Sequence, residues 1–226
     1  MTAARTVPAR ATVPSATYRV QLHAGFRFID ATRLVPYLAA LGISHLYISP
    51  PLKARQGSQH GYDVVDHKVL NPELGTRADF DAMVAALHAH EMGLLIDIVP
   101  NHMGVLDGDN AWWLDVLENG EASAWADFFD IDWRAADPVL AGKVLLPILG
   151  DQYGVVLEAG ELKLGFDATR GYFTVSYYAH RLPVDPSGYG GLLREALRKA
   201  PAPSLRGGAG ATLTRLAGEF DRLPTR

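Results

Sequence analysis

The chain has 226 residues, 48% of them hydrophobic and 20% charged, with a formal net charge of −4. That is an ordinary globular composition, with room for one large domain or two small ones. The mild acidity argues against nucleic acid or an anionic membrane as the main partner, and the absence of cysteine excludes disulfides and thiolate metal sites.

Residues 1–16 contain arginines but no continuous apolar stretch, so they read as a disordered lead-in rather than a secretory signal. No apolar run is long enough to span a membrane, and a cysteine-free chain without a signal fits the cytoplasm. "TYRVQL" (Thr17–Leu22) is the first strand. A helix follows over Asp30–Leu41, with Leu34, Leu38 and Leu41 at helical spacing. Pro36 is awkward inside it, so the regular helix is expected to start near Pro36 or to kink there. Gly42 ends that helix, and Ile43–Ser49 is the second strand. Positions 50–75 read as a long polar loop. Thr76 with Asp79 three residues on forms a capping box for a second helix, whose stripe is Phe80, Met83, Val84 and Leu87 and whose stop is Gly93. Leu94–Val99 is the third strand.

This β-α-β-α-β order, with near-continuous apolar strands, predicts a parallel sheet covered by helices. Past His102 the sequence turns aromatic and acidic. Residues 155–178 then read as an antiparallel meander with turns at "EAGE" and "DATRG", followed by helices in "GLLREALRKA" and "TLTRLAGEFDRL" either side of a "PAPSLRGGAG" linker.

Two segments could carry chemistry. In "LLIDIVPNH", alternation puts Leu95, Asp97 and Val99 on one face of the strand. A carboxylate among apolar neighbours must be paired or hydrogen-bonded, either to tie down the next loop or to orient a site containing Asn101 and His102. In "QHGYDVVDH", Gly61 lets the backbone turn sharply, and Tyr62 either packs on the protein within an ordered loop or offers a flat face to a ligand such as a sugar. The spacing of His60, His67 and His102 matches no closed zinc pattern, so neither a metal nor another cofactor is expected.

Together, "HGYDVVDH" after a second strand and "DIVPNH" ending a third resemble the α-amylase superfamily of (β/α)8-barrel enzymes. "YRVQLHAGFRFIDA", "GISHLYISP", "FFDIDW", "VLLPILGDQYGVVLEAGEL" and "YYAHRLPVDPSGY" narrow the resemblance to the maltooligosyltrehalose synthases. The resemblance implies an α/β fold: the N-terminal part of a (β/α)8 TIM barrel, about three strands over residues 17–103, then a domain-B-like insertion of mixed α+β over 104–226. It implies that Tyr62 underlies a sugar ring, and that His60 and His102 bind its hydroxyls. Asp63, Asp97 and Asn101 would support them. Trp112, Trp113, Trp125 and Trp133 would line a cleft wall or form a small core.

A retaining glycosidase needs two carboxyl groups about 5 Å apart. The family's nucleophile motif, Arg-x-Asp-His on an apolar strand, does not occur here, and Asp167 sits in an expected β-turn. The catalytic residues are therefore expected beyond residue 226, and the missing part of the barrel becomes a necessary partner. The resemblance further implies an α-1,4-glucan or maltooligosaccharide substrate, an isomerising transglycosylation, and functional pairing with a trehalose-releasing hydrolase. The alternatives are a part of another amylase-family glucosidase, or a non-catalytic carbohydrate-binding remnant.

Overall fold

The computed structural model describes residues 13–106, 109–201 and 207–223. It divides into two compact units, Met1–Gly104 and Val105–Arg226. Most of the expected lead-in lies outside the described residues. Ser15 and Ala16 do not read as disordered: their backbone N–H groups donate to Ser44 Oγ at 3.0 and 3.1 Å.

In the first unit, strands β1 (Thr17–Val20), β2 (His45–Ile48) and β5 (Gly93–Ile96) form a parallel sheet in the order β1-β2-β5. Parallel neighbours need crossovers, supplied here by helices α1 (Phe28–Ala40) and α2 (Arg77–Ala89). Val20, Leu46 and Ile48 pack with Phe28, Val35 and Leu38 of α1 and with Met83 and Leu87 of α2 in one core. The Phe28 and Phe80 rings meet edge to face at 5.4 Å.

Helix α1 begins at Phe28, well before Pro36, and runs through the proline. The cost of the missing N–H is small because Pro36 faces solvent, where water can satisfy the bypassed carbonyl. The buried stripe is Phe28, Ala31, Val35 and Leu38; Leu41 is exposed. Thr76 caps α2, with the Thr76 side chain accepting from Asp79 N–H and the Asp79 carboxylate accepting from Thr76 N–H. Gly93 does not stop this helix. The chain leaves α2 through His90 and Glu91, the latter at φ 57°, and Gly93 opens β5 opposite His45, whose ring fills the space a Cβ would need.

The expected loop over positions 50–75 contains an antiparallel hairpin, β3 (Leu52–Ala54) with β4 (Val64–Leu70). Its register shifts twice, at Leu52/Lys53 and at Lys53/Ala54. Strand β5 ends at Ile96, so Asp97 lies just beyond the sheet rather than inside a strand reaching Val99. The alternation persists in the extended chain: Val99 is buried while Ile96 and Ile98 are exposed.

The second unit contains α3 (Ala111–Asn119) and α4 (Tyr153–Glu158), then the meander β6 (Lys163–Asp167), β7 (Tyr172–Tyr177) and β8 (His180–Pro183). Helices α5 (Tyr189–Lys199) and α6 (Ala209–Phe220) follow and pack on each other, with part of the expected linker between them outside the described residues. The "VVLE" run expected to open the meander is helical, part of α4, and buries Val156.

Candidate functional site

Side chains of a strand alternate between its two faces. Arg19 and Tyr47 are register partners across β1 and β2, on the face opposite Val20, Leu46 and Ile48. That second face is polar, and Asp97 joins it. The Asp97 N–H extends the ladder by donating to Ile48 C=O at 3.1 Å. Its Oδ2 accepts the Tyr62 hydroxyl at 2.5 Å and the Tyr47 hydroxyl at 2.9 Å, and lies 4.0 Å from Arg19 Nη2.

With its side chain only 17% exposed, Asp97 would be costly without those partners. The Tyr62 hydroxyl, then Tyr47 and the Arg19 charge, hold its carboxyl below the usual range against the opposing effect of burial. The same bond to Asp97 pushes the Tyr62 phenol up. The expectation that Asp97 must be paired is met by two phenols.

Tyr62 is delivered by the β3–β4 connection. Gly61 has φ +78°, and a Cβ there would stand 2.6 Å from the Pro50 carbonyl oxygen, so only glycine fits. Ser58 Oγ accepts from the Gly61 N–H at 3.1 Å and donates to Asp63 Oδ1 at 2.5 Å, while Arg55 Nε stands 3.4 Å from Asp63 Oδ2. Asp63 thereby braces the turn that presents Tyr62. His60 Nδ1 accepts the Tyr62 N–H at 3.0 Å, and the two rings stack at 6.0 Å with 26° between planes.

His102 arrives from the segment after β5. Its Nε2 donates to the Tyr62 carbonyl at 3.1 Å, and its Nδ1 lies 3.2 Å from Asn101 Oδ1. His60, Tyr62 and His102 thus converge on one surface, with Asp63, Asp97 and Asn101 each holding part of it. His67 is used differently: its Nε2 donates to the Val99 carbonyl at 3.1 Å, a tie between β4 and the post-β5 segment. Among the described residues no three His, Asp or Glu side chains are grouped to hold a metal ion.

Sequence reading missed Arg19, Gln21 and Tyr47. The signal was available in the alternation of "TYRVQL" and "HLYI", which puts these three on the strand face that does not pack on the helices. Arg19 Nη2 donates to the Tyr62 hydroxyl at 3.1 Å, and its guanidinium lies 5.4 Å from the centre of the Tyr47 ring.

In the second unit the tryptophans divide. Trp113 is buried, and its ring packs 5.0 Å from that of Phe129. Trp112 and Trp125 are half-buried and stack face to face at 4.2 Å, with Phe128 against both. Trp133 borders a cavity of about 550 Å³ with Val116 and Leu117. Asp167 closes the β6–β7 turn: Oδ1 accepts the Thr169 and Arg170 N–H groups at 3.0 and 3.1 Å, and Oδ2 accepts Arg181 Nη2 at 3.0 Å. Its carboxylate is committed to the turn.

Comparison with known proteins places the chain in a family. Residues 31–153 match the family model described as alpha amylase, catalytic domain. A Mycobacterium tuberculosis protein carrying the name maltooligosyl trehalose synthase is 47% identical over 158 residues, 66% of this chain and 20% of that protein. The solved maltooligosyltrehalose synthase of Arthrobacter ramosus superposes with a TM-score of 0.66 at 42% identity, over 76% of this chain and 21% of that one. Alpha-amylase SusG of Bacteroides thetaiotaomicron is 31% identical over 115 residues, 51% of this chain and 16% of its own. This chain therefore spans about a fifth of the length of the synthases it matches. Its parallel strands and crossover helices are the opening part of an amylase-type (β/α)8 barrel, and with more than half of its residues inside the family model, the chain belongs to the alpha-amylase catalytic-domain family.

Proposed function

We propose that this chain carries the glucose-ring-binding part of a maltooligosyltrehalose synthase. That enzyme would convert the reducing-end α-1,4 bond of a maltooligosaccharide into an α,α-1,1 bond by retaining intramolecular transglycosylation. Tyr62 would lie beneath the sugar ring, with His60 Nε2 and the His102 ring at its hydroxyls. Asp97, Asn101 and Asp63 would hold those groups in place.

The observation that carries the reading is the convergence on Tyr62. One histidine stacks beside it, another donates to its carbonyl, and a carboxylate accepts its hydroxyl. An aromatic face with hydrogen-bonding groups at its edge suits a sugar, which is apolar on its ring faces and polar at its rim. The synthase is favoured over other amylase relatives by reach. By sequence the synthase match covers 66% of this chain, whereas relatives named as amylases, a palatinase and a cyclomaltodextrinase cover 42–51% of it.

In this reading the nucleophile and the acid/base are supplied from outside the 226 residues: the family's Arg-x-Asp-His motif does not occur in them, and Asp167 is held in a turn. The complete enzyme would act in the cytoplasm alongside a hydrolase that releases trehalose. Among the described residues no helix is long and apolar enough to cross a membrane.

Titration calorimetry with maltopentaose tests the sugar site. Saturable binding is expected for the chain, with Tyr62→Ala weakening it about tenfold or more through loss of the stacking face. Absence of binding, or equal binding by the variant, would refute the assignment.

A further inference from the structure

Strand β1 and the residue just past it, Gln21, reach the hairpin turn at two points. Arg19 donates from Nη1 to Gln21 Oε1 at 2.8 Å and from Nη2 to the Tyr62 hydroxyl at 3.1 Å. Gln21 passes the link on, its Nε2 donating to the Gln59 carbonyl at 3.0 Å. The turn that carries His60 and Tyr62 is thus held at Gln59 and at the tip of the Tyr62 ring.

The tip itself is fully directed. A phenol has one hydrogen and two lone pairs. The Tyr62 hydrogen goes to Asp97 Oδ2, so the bond from Arg19 uses a lone pair from another side. Two anchors of different chemistry hold the tip of the ring in place, where one would let it swing. Arginine suits the task because its planar fork serves Gln21 and Tyr62 at once while lying over the Tyr47 ring.

We propose that Arg19, relayed by Gln21, is the positioning residue that sets the Tyr62 ring and its turn before a ligand arrives. It does not contact the sugar; its effect on affinity comes from ordering Tyr62 in advance, so less freedom is lost on binding. Only the affinity part of this inference rests on the glucan-binding reading above.

The test uses the full 226-residue chain with ¹³Cζ-labelled tyrosine, followed by NMR as a function of pH, together with maltopentaose calorimetry. Arg19→Met removes a cation that favours the phenolate, so the Tyr62 resonance is expected to titrate at higher pH than in the wild type. Maltopentaose binding should weaken about three- to tenfold, the scale of one ordinary hydrogen bond, because the Arg19 contact acts on affinity only through Tyr62. Arg19→Lys keeps the charge but not the fork, and should restore the titration more fully than the affinity.

In a Tyr62→Phe background, which keeps the ring and removes the receiving hydroxyl, Arg19→Met should cost little further affinity. The proposal is overturned if the Tyr62 titration is the same with Met, Lys or Arg at position 19, or if Arg19→Met costs as much affinity in the Tyr62→Phe background as in the wild type. If the wild-type chain does not bind maltopentaose, the glucan reading falls, and the tyrosine titration alone decides the clamp because it needs no ligand.

Discussion

On sequence grounds Asp97 either ties down the loop that follows it or orients a site containing Asn101 and His102; in the structure its carboxylate accepts the hydroxyls of Tyr47 and Tyr62. Its folded-state pKa lies below the unfolded value, so it contributes stability above about pH 4, the unfolded carboxylate range, and that contribution is lost as pH falls through the folded pKa. Asp97→Asn keeps the shape and removes the charge. The substitution is expected to cost roughly 1.5–3 kcal/mol at pH 7, the range for hydrogen bonds to an ionised acceptor. In urea unfolding the gap between wild type and variant should narrow below pH 4; a gap of constant size would mean that the ionised form does not matter. The need for a partner was legible at Asp97 because an aspartate within an apolar run must find one. The identity of the partners was not, since Tyr47 and Tyr62 lie 50 and 35 residues away in sequence and only β-pairing and the hairpin bring them in.

At the scale of elements, the parallel strands and both crossover helices could be read from apolar periodicity and the Thr76–Asp79 capping box, whereas the hairpin could not. Strand β3 is three residues long, β4 carries Asp66, His67 and Lys68, and the register shifts twice, so no clean two-residue alternation survives. The proline in α1 misled for the opposite reason: a strong local preference yields to burial of Phe28, Ala31, Val35 and Leu38 when the proline itself faces water. What the sequence did show in the hairpin was Gly61. Gly61→Ala meets both an unfavourable positive φ and the Pro50 carbonyl, and is expected to destabilise the first unit by at least about 2 kcal/mol. Chemical denaturation followed by tyrosine fluorescence would show it, and Gly57→Ala makes a useful control. Gly57 also has positive φ, but nothing lies within 4 Å of its added Cβ, so only the conformational part of the cost should appear.

For the whole molecule, the aligned share decides what can be asked of it. The described parallel sheet has three strands, with β1 and β5 at its two ends, and it presents the Arg19, Tyr47 and Asp97 face of an amylase-type barrel. We expect the purified chain to bind maltopentaose without converting it. Chromatography after prolonged incubation should show neither glucose and maltose nor a non-reducing, trehalose-ended product; appearance of either would place a working carboxylate pair within these residues. The fold class was readable at this scale because β-α-β-α-β order is a property of the chain itself. The convergence of His60, Tyr62 and His102 depends on three cross-ties: Tyr62 to His102, Val64 to Gly104 and His67 to Val99. Those ties make the two segments a single graftable cassette. An engineer moving the hairpin from one amylase relative into another would misaim the second histidine unless residues 99–104 travelled with it, and chimaeras cut between the two should lose sugar recognition while still folding.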